Sequence, residues 1–163
     1  MNVTRLVKTN FETDVRFAGI TLLSVEEYEE CKKNIPLLKH WWWLRSPGIY
    51  DNCAAIVDSD GDAFKSGYYT NDENGAVRPA LRIANPETAN LQIGDRFITE
   101  CMGDENEWIV ISDDLALSVE AIEVGHFRGG REAKDAIYEV SAVKEFIEDW
   151  AAENDIKFEK KGE

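Results

Sequence analysis

The sequence predicts an α+β protein with a mostly antiparallel sheet, a short helix in its N-terminal half and a C-terminal helix. Short apolar and β-branched runs separated by turn residues predict the strands. Two segments with capping residues and apolar side chains at helical spacing predict the helices. With 163 residues, 44% of them apolar, the chain can bury a substantial core as one domain or as two small ones packed together.

The first elements are expected between residues 17 and 33. Phe17–Leu23 is a short apolar run that is typical of a strand. Ser24 and Glu27 have the spacing of a capping box, in which each side chain accepts a hydrogen bond from the other residue's amide. A helix is therefore expected from Val25 to about Lys33, and Pro36 prevents it from continuing far.

Four β-prone runs complete the first half of the chain. They are Trp41–Leu44, Ala54–Val57, Ala63–Thr70 and Ala76–Ile83. Pro79 lacks an N–H, so the last of these strands should lie at a sheet edge or be bulged. The Asp58–Asp62 segment lacks the glycine and glutamate positions of a calcium loop, and a hairpin turn is predicted there instead.

The second half predicts strands at Ile93–Ile98, Trp108–Ile111, Leu115–Ser118 and Ala121–Val124. A helix is expected over Ala142–Glu153, with Ser141 as its N-cap. The composition changes near residues 84–90, which have the character of a linker. We therefore expect two subregions, 1–85 and 86–163, packed into one unit.

The charge is strongly and unevenly acidic. The net charge is −14, and residues 91–163 hold 19 acidic and 8 basic side chains against 13 and 10 in residues 1–90. Direct nucleic-acid binding is not expected, because it depends on cations placed against phosphates. No apolar run is long enough for a membrane span, no signal peptide is recognised, and the three cysteines have no metal spacing, so a cytoplasmic protein is expected.

Eight of the acidic residues are candidate contacts to a partner protein. They are Asp104, Glu105, Glu107, Asp113, Asp114, Glu145, Glu148 and Asp149. One interpretation is solubility alone, since a high net charge keeps a protein dissolved. The other is mimicry of nucleic acid, in which carboxylates occupy the basic groove of a nucleic-acid-binding protein.

Bulky and basic residues in the first half also have two interpretations. The tryptophans at 41–43 could form a stacking platform, but large aromatic side chains are usually buried, so Trp42 and Trp43 are assigned structural roles. Arg45 and Arg78 could bind a carboxylate or phosphate, yet an arginine beside large apolar residues more often fastens loops through backbone carbonyls. We expect both to be structural.

Catalytic signals are weak. His40 and His126 are the only histidines of the sequence, neither has a second histidine at metal spacing, and no serine stands in a nucleophile elbow. The prediction is a protein that is not an enzyme and needs no cofactor or metal.

Two short strings carry a resemblance to a known family. Residues 42–48 read WWLRSPG and residues 77–81 read VRPAL, about 30 residues apart. Together they resemble a domain-of-unknown-function family of bacteria and their phages, over roughly residues 17–83. The second half resembles the family more loosely and in a different order, which implies a permuted version of the fold. The family is similar to the C-type-lectin-like fold, which implies binding more often than catalysis.

These observations predict a phage or prophage accessory protein that acts in the host cytoplasm. Its most concrete form is an acidic inhibitor of a host nucleic-acid-binding defence protein, of the anti-CRISPR type. The alternatives are a lectin-like ligand- or carbohydrate-binding module that uses the tryptophan region and nearby loops, or a structural component of a virion.

Overall fold

The strands of the chain form two sheets in the computed structural model, which describes residues 6–8, 15–101, 104–125, 127, 138, 141–154, 156 and 158. The strands are β1 Leu6–Lys8, β2 Phe17–Thr21, β3 Trp42–Pro47, β4 Cys53–Val57, β5 Ala63–Tyr69, β6 Ala76–Val77, β7 Ala80–Ile83, β8 Arg96–Cys101, β9 Asp104–Val110, β10 Leu115–Ser118 and β11 Glu123–Val124. The helices are α1 Val25–Cys31, α2 Pro86–Ala89 and α3 Ala142–Glu153, and a 3-10 turn, Lys32–Asn34, follows α1.

Sheet A has the strand order β1-β8-β9-β10-β7-β2, and sheet B has the order β11-β6-β3-β4-β5. The β1–β8 and β3–β6 pairs are parallel, and the other pairs between these strands are antiparallel. The α+β class is therefore confirmed, with two mixed sheets instead of the one sheet expected. Sheet A contains β1, β2 and β7 from before residue 85 and β8, β9 and β10 from after it, so strands of both expected subregions share one sheet.

The chain crosses from sheet B to sheet A at Arg78 and Pro79. The sequence predicted one bulged or edge strand over Ala76–Ile83, but the structure has β6 in sheet B and β7 in sheet A. Pro79 cannot donate a ladder hydrogen bond, and its carbonyl accepts one from the amide of Ser118 at 2.9 Å. The proline therefore stands where the backbone changes its partner strand.

A hydrophobic core fills the space between the two sheets. Trp42 and Leu44 of β3 contribute from sheet B, while Ile109 of β9 and Leu117 of β10 contribute from sheet A. The opposite face of sheet B packs Trp43 and Ile56 against Val143 and Ile147 of α3. Further along α3, Ala151 packs against sheet A with Phe97 and Trp108. Helix α3 thus covers parts of both sheets.

Both predicted helix starts are confirmed. The Ser24 hydroxyl accepts the amide of Glu27 at 3.1 Å, and the Glu27 carboxylate accepts the amide of Ser24 at 2.9 Å, which completes the capping box. The Ser141 hydroxyl accepts the amide of Lys144 at 3.1 Å. Side-chain caps of this kind satisfy amides that have no partner inside the helix.

Several expected boundaries differ from the structure by a few residues, among them the ends of α1, β2, β3, β9 and β11, and two differences have a clear local description. The segment expected to be a linker includes the short helix α2, with Pro86 in its first turn. Strand β8 begins at Arg96 and not at Ile93, because the chain turns over 92–95: the Asp95 carboxylate accepts the amide of Gln92, and the Gln92 carbonyl accepts the amide of Asp95, both at 2.9 Å.

Candidate functional site

The eight acidic residues predicted to contact a partner lie on three elements. Glu105 and Glu107 are in β9, Asp113 and Asp114 are in the turn that follows it, and Glu145, Glu148 and Asp149 are on α3. Since a strand of this length extends over roughly 20 Å, Glu105 and the β9–β10 turn are well separated. Asp104 begins β9, and its side chain lies outside the described residues.

Among the seven of these acids whose side chains are described, three carboxylates form ion pairs within the chain. Arg96 donates to Glu107 at 2.8 Å, Lys144 donates to Glu148 at 2.7 Å, and Arg82 lies 3.7 Å from Asp114. A carboxylate with a cation beside it presents less net charge to a partner. The exposed acids among the eight are Glu105, Asp113, Glu145, Glu148 and Asp149.

The tryptophan cluster is divided between core and surface. Trp42 and Trp43 are fully buried on opposite faces of β3, so neither can stack against a ligand. Trp43 also donates its indole N–H to the carbonyl of Gly125 at 2.8 Å. Trp41 is half-buried, and its ring lies 4.6 Å from that of Tyr68 in an edge-to-face arrangement. A platform can therefore involve Trp41 alone among the three.

Arg78 fastens loops between the two sheets. It is fully buried, and its guanidinium donates to the carbonyls of Ser118 at 2.7 Å, Pro36 at 3.0 Å and Val119 at 3.1 Å. Burial lowers its pKa to about 10, which leaves it charged at neutral pH. These hydrogen bonds hold together segments that are distant in the sequence, which is a structural role.

Arg45 ties β3 to the start of α1. It donates to the carbonyl of Leu22 at 2.7 Å and to the Glu27 carboxylate. Burial acts to raise the pKa of Glu27, but hydrogen bonds from Arg45 and the Ser24 amide, with the positive charges of Arg45 and Arg82, outweigh it and lower that pKa below its ordinary value. The acid that caps α1 is therefore also held by the arginine of the WWLRSPG string.

An aromatic groove lies beside β5, at the edge of sheet B. We call it the tyrosine groove and define it by Ile49, Tyr50, Cys53, Tyr68, Tyr69 and Asp72, with Ser66 and Gly67 completing its wall. The cavity has a volume of about 330 Å³. Ile49, Tyr50 and Tyr69 are 65%, 63% and 58% exposed, which is unusual for large apolar side chains gathered in one place.

Backbone contacts fix the shape of the tyrosine groove. The amide of Ile49 donates to the carbonyl of Ser66 at 2.8 Å, and the amide of Thr70 donates to the carbonyl of Asn52 at 2.8 Å. Gly67 has a φ of +79°, and a Cβ there would lie 2.1 Å from the carbonyl oxygen of Ala54. Only glycine permits this close approach without strain. The groove is thus built on fixed backbone between the β3–β4 loop and β5.

The sequence did not predict this groove. The tyrosines are 18 or 19 residues apart, at 50 and at 68–69, and only the β4–β5 pairing brings them together. The sequence does show an excess of aromatic residues between Trp41 and Tyr69. A stacking platform was considered only at the three adjacent tryptophans, Trp41–Trp43.

The comparisons with known proteins identify one segment. A DUF6273 domain, a domain of unknown function, is found at residues 12–85. The expected resemblance to a domain-of-unknown-function family is confirmed for this segment, which holds β2 to β7 and so includes the tyrosine groove. The comparisons with curated proteins and with solved structures find no match.

Within the described ranges there is no group of three or more histidine, cysteine, aspartate or glutamate side chains that could hold a metal ion. None of the helices found there is both long and apolar enough to cross a bilayer.

Proposed function

We propose that this protein is a non-catalytic binding module that takes a small ligand in the tyrosine groove. The observation that carries the proposal is the exposure of three tyrosines and an isoleucine around a cavity of about 330 Å³. Small-molecule sites are concave and mostly apolar, with few polar groups that fix orientation. Ser66 and Asp72 supply such groups here.

The rigidity of the groove supports the same proposal. Its two sides are joined by backbone hydrogen bonds, and Gly67 holds β5 against β4. A site that is formed before the ligand arrives loses little conformational entropy on binding. The preformed shape of the groove therefore supports a ligand-binding role.

A titration followed by amide NMR tests the proposal. Neutral sugars, organic cations and small carboxylates are added separately, and at least one class is expected to shift the amides of residues 49–53 and 66–72. The double substitution Tyr50→Ala and Tyr69→Ala should abolish those shifts. Ile93→Ala, which removes another exposed apolar side chain that does not line the groove, is the control and should bind normally. If no class shifts those amides, the proposal is wrong.

The acidic inhibitor is a second proposal, favoured by one observation. Glu145, Glu148 and Asp149 are exposed and lie three and four residues apart on α3, so they share a helix face. In this proposal the chain is a phage or prophage protein that occupies the basic groove of a host nucleic-acid-binding defence protein, in the host cytoplasm. A relation of this chain to the C-type-lectin-like fold and a role of this protein in the virion are likewise proposals.

Charge reversal tests this second proposal. Glu145→Lys with Asp149→Lys should weaken capture of a basic-groove nuclease by at least tenfold, and added salt should weaken capture by the wild type. Glu87→Lys with Glu73→Lys removes the same charge from other exposed positions and serves as the control. Equal loss in both pairs would mean that only net charge matters and that α3 is not the contact surface.

A further inference from the structure

The charge of the tyrosine groove narrows the class of ligand, and this inference rests on the function proposed above. Among the residues that line the groove, Asp72 is the one with a carboxyl group, and none is basic. The chain as a whole has a net charge of −14. An anionic ligand would be repelled, whereas a cation would be attracted both by the groove and by the field of the whole protein.

The aromatic side chains favour the same sign of charge. Tyr50, Tyr68 and Tyr69 line one cavity, and their rings present a negative quadrupole at each face. A cation near such faces is stabilised, and several rings around one site are the usual arrangement for quaternary ammonium groups. A carboxylate beside the rings adds direct attraction.

The outer wall of the groove is held by further aromatic contacts. The Tyr68 ring lies 4.6 Å from the Trp41 ring and 5.7 Å from the Phe64 ring, in edge-to-face arrangements. Asp72 is fixed as well, because one of its carboxylate oxygens accepts the amide of Asn74 at 2.9 Å and its own amide donates to the carbonyl of Tyr69 at 3.0 Å. The ring and the carboxylate are therefore positioned before a ligand binds.

The volume of the groove limits the size of the guest. About 330 Å³ is at the lower end of ligand sites, which range from about 300 to 1,000 Å³. From charge, aromatic lining and size together, we infer that the tyrosine groove binds a small organic ammonium cation, in which alkyl groups contact the rings and the positive charge faces Asp72.

The test compares choline chloride with its neutral isostere, an alcohol in which a tert-butyl group replaces trimethylammonium. The two probes have the same shape and differ in charge, so the comparison uses the wild-type protein and needs no variant. Amide NMR titration should give shifts at residues 49–53 and 66–72 with choline. The neutral probe should bind at least five times more weakly, and Tyr69→Leu should weaken choline binding about three- to tenfold.

One matched pair of variants and one conservative substitution separate the effect of charge from that of structure. Asp72→Asn keeps the shape of the side chain and should weaken choline binding at least threefold, whereas Glu73→Gln, next to it and outside the groove, should leave it unchanged. Tyr69→Phe should bind choline almost as the wild type does, because the ring face is retained.

The outcomes distinguish this inference from the function on which it rests. Equal affinity for choline and the neutral probe, or stronger binding of a neutral sugar than of choline, would overturn the cation inference and leave the groove as a ligand site. Absence of shifts with every probe, including the sugars and carboxylates, would overturn both.

Discussion

The guanidinium carbon of Arg78 lies 5.1 Å from the centroid of the Trp42 ring, in a cation–π contact inside the core. Trp42 opens the WWLRSPG string and Arg78 belongs to VRPAL, so the two strings meet at this contact. Trp42 also pairs with Ala76 in the parallel β3–β6 ladder. The two strings therefore meet inside the core, and neither contributes to the tyrosine groove through its arginine.

Arg78→Ala should destabilise the protein by about 2–4 kcal/mol, because three carbonyls and the Trp42 ring lose their partner in the core. Urea denaturation followed by circular dichroism measures the change. Arg82→Ala is the control: Arg82 is 42% exposed and its ion pairs are longer than 3.5 Å, so it should cost less than about 1 kcal/mol. Equal losses in the two variants would contradict the role assigned to Arg78.

Glu27 should make stability depend on pH in the acid range. Its pKa is lowered in the folded state relative to a reference of 4.5, so its stabilisation is fully present above that reference and is lost as pH falls through the folded value. At neutral pH, Glu27→Gln should cost about 1–3 kcal/mol. The gap in unfolding free energy between the two proteins should then shrink as the pH is taken well below 4.5.

The matched control for this pH series is Glu26→Gln, an exposed neighbour on α1. It should change stability by less than about 0.5 kcal/mol. If the difference in unfolding free energy between the wild type and Glu27→Gln stays constant as the pH falls well below 4.5, the charge of the Glu27 carboxylate does not hold Arg45 against α1.

Gly67→Ala should destabilise the protein more than Gly94→Ala does. Both glycines have positive φ, +79° and +97°, so each substitution carries a backbone cost of about 1 kcal/mol. At Gly94 a Cβ meets nothing within 4 Å, whereas at Gly67 it lies 2.1 Å from the Ala54 carbonyl oxygen. Thermal melting should show a loss at least twice as large at Gly67, and a loss no larger than at Gly94 would mean that β5 can shift freely.

Ser141→Ala tests the cap of α3. The hydroxyl accepts the amide of Lys144 and donates to the carbonyl of Tyr138 at 2.7 Å, so its removal should cost about 1–2 kcal/mol. Ser59→Ala, in an exposed turn, should be neutral within about 0.5 kcal/mol. Chemical denaturation of both variants gives the comparison.

Local signals predicted much of the secondary structure. The bounds of α3 agree with its apolar spacing and the Ser141 cap, and the start of α1 follows from the Ser24–Glu27 pair. Both features depend on residues within four positions of one another, which a single sequence displays directly.

Non-local features could not be predicted in this way. The division of Ala76–Ile83 between two sheets depends on β10 and β11, which follow more than 30 residues later. The tyrosine groove depends in the same way on the β4–β5 pairing and on the bulge at Gly67. The ion pairs of Glu107 with Arg96 and of Asp114 with Arg82 join residues from different strands and turns, so the sequence did not show which carboxylates have a cation beside them.

The crossing at Pro79 makes the segment found at residues 12–85 depend on the remainder of the chain for one strand pairing. Within that segment β7 has β2 as one neighbour, but its other neighbour, β10, comes from the remainder of the chain. Without β10, one edge of β7 would present unpaired backbone N–H and C=O groups, so the segment taken alone would have a strand edge open to pairing with another chain.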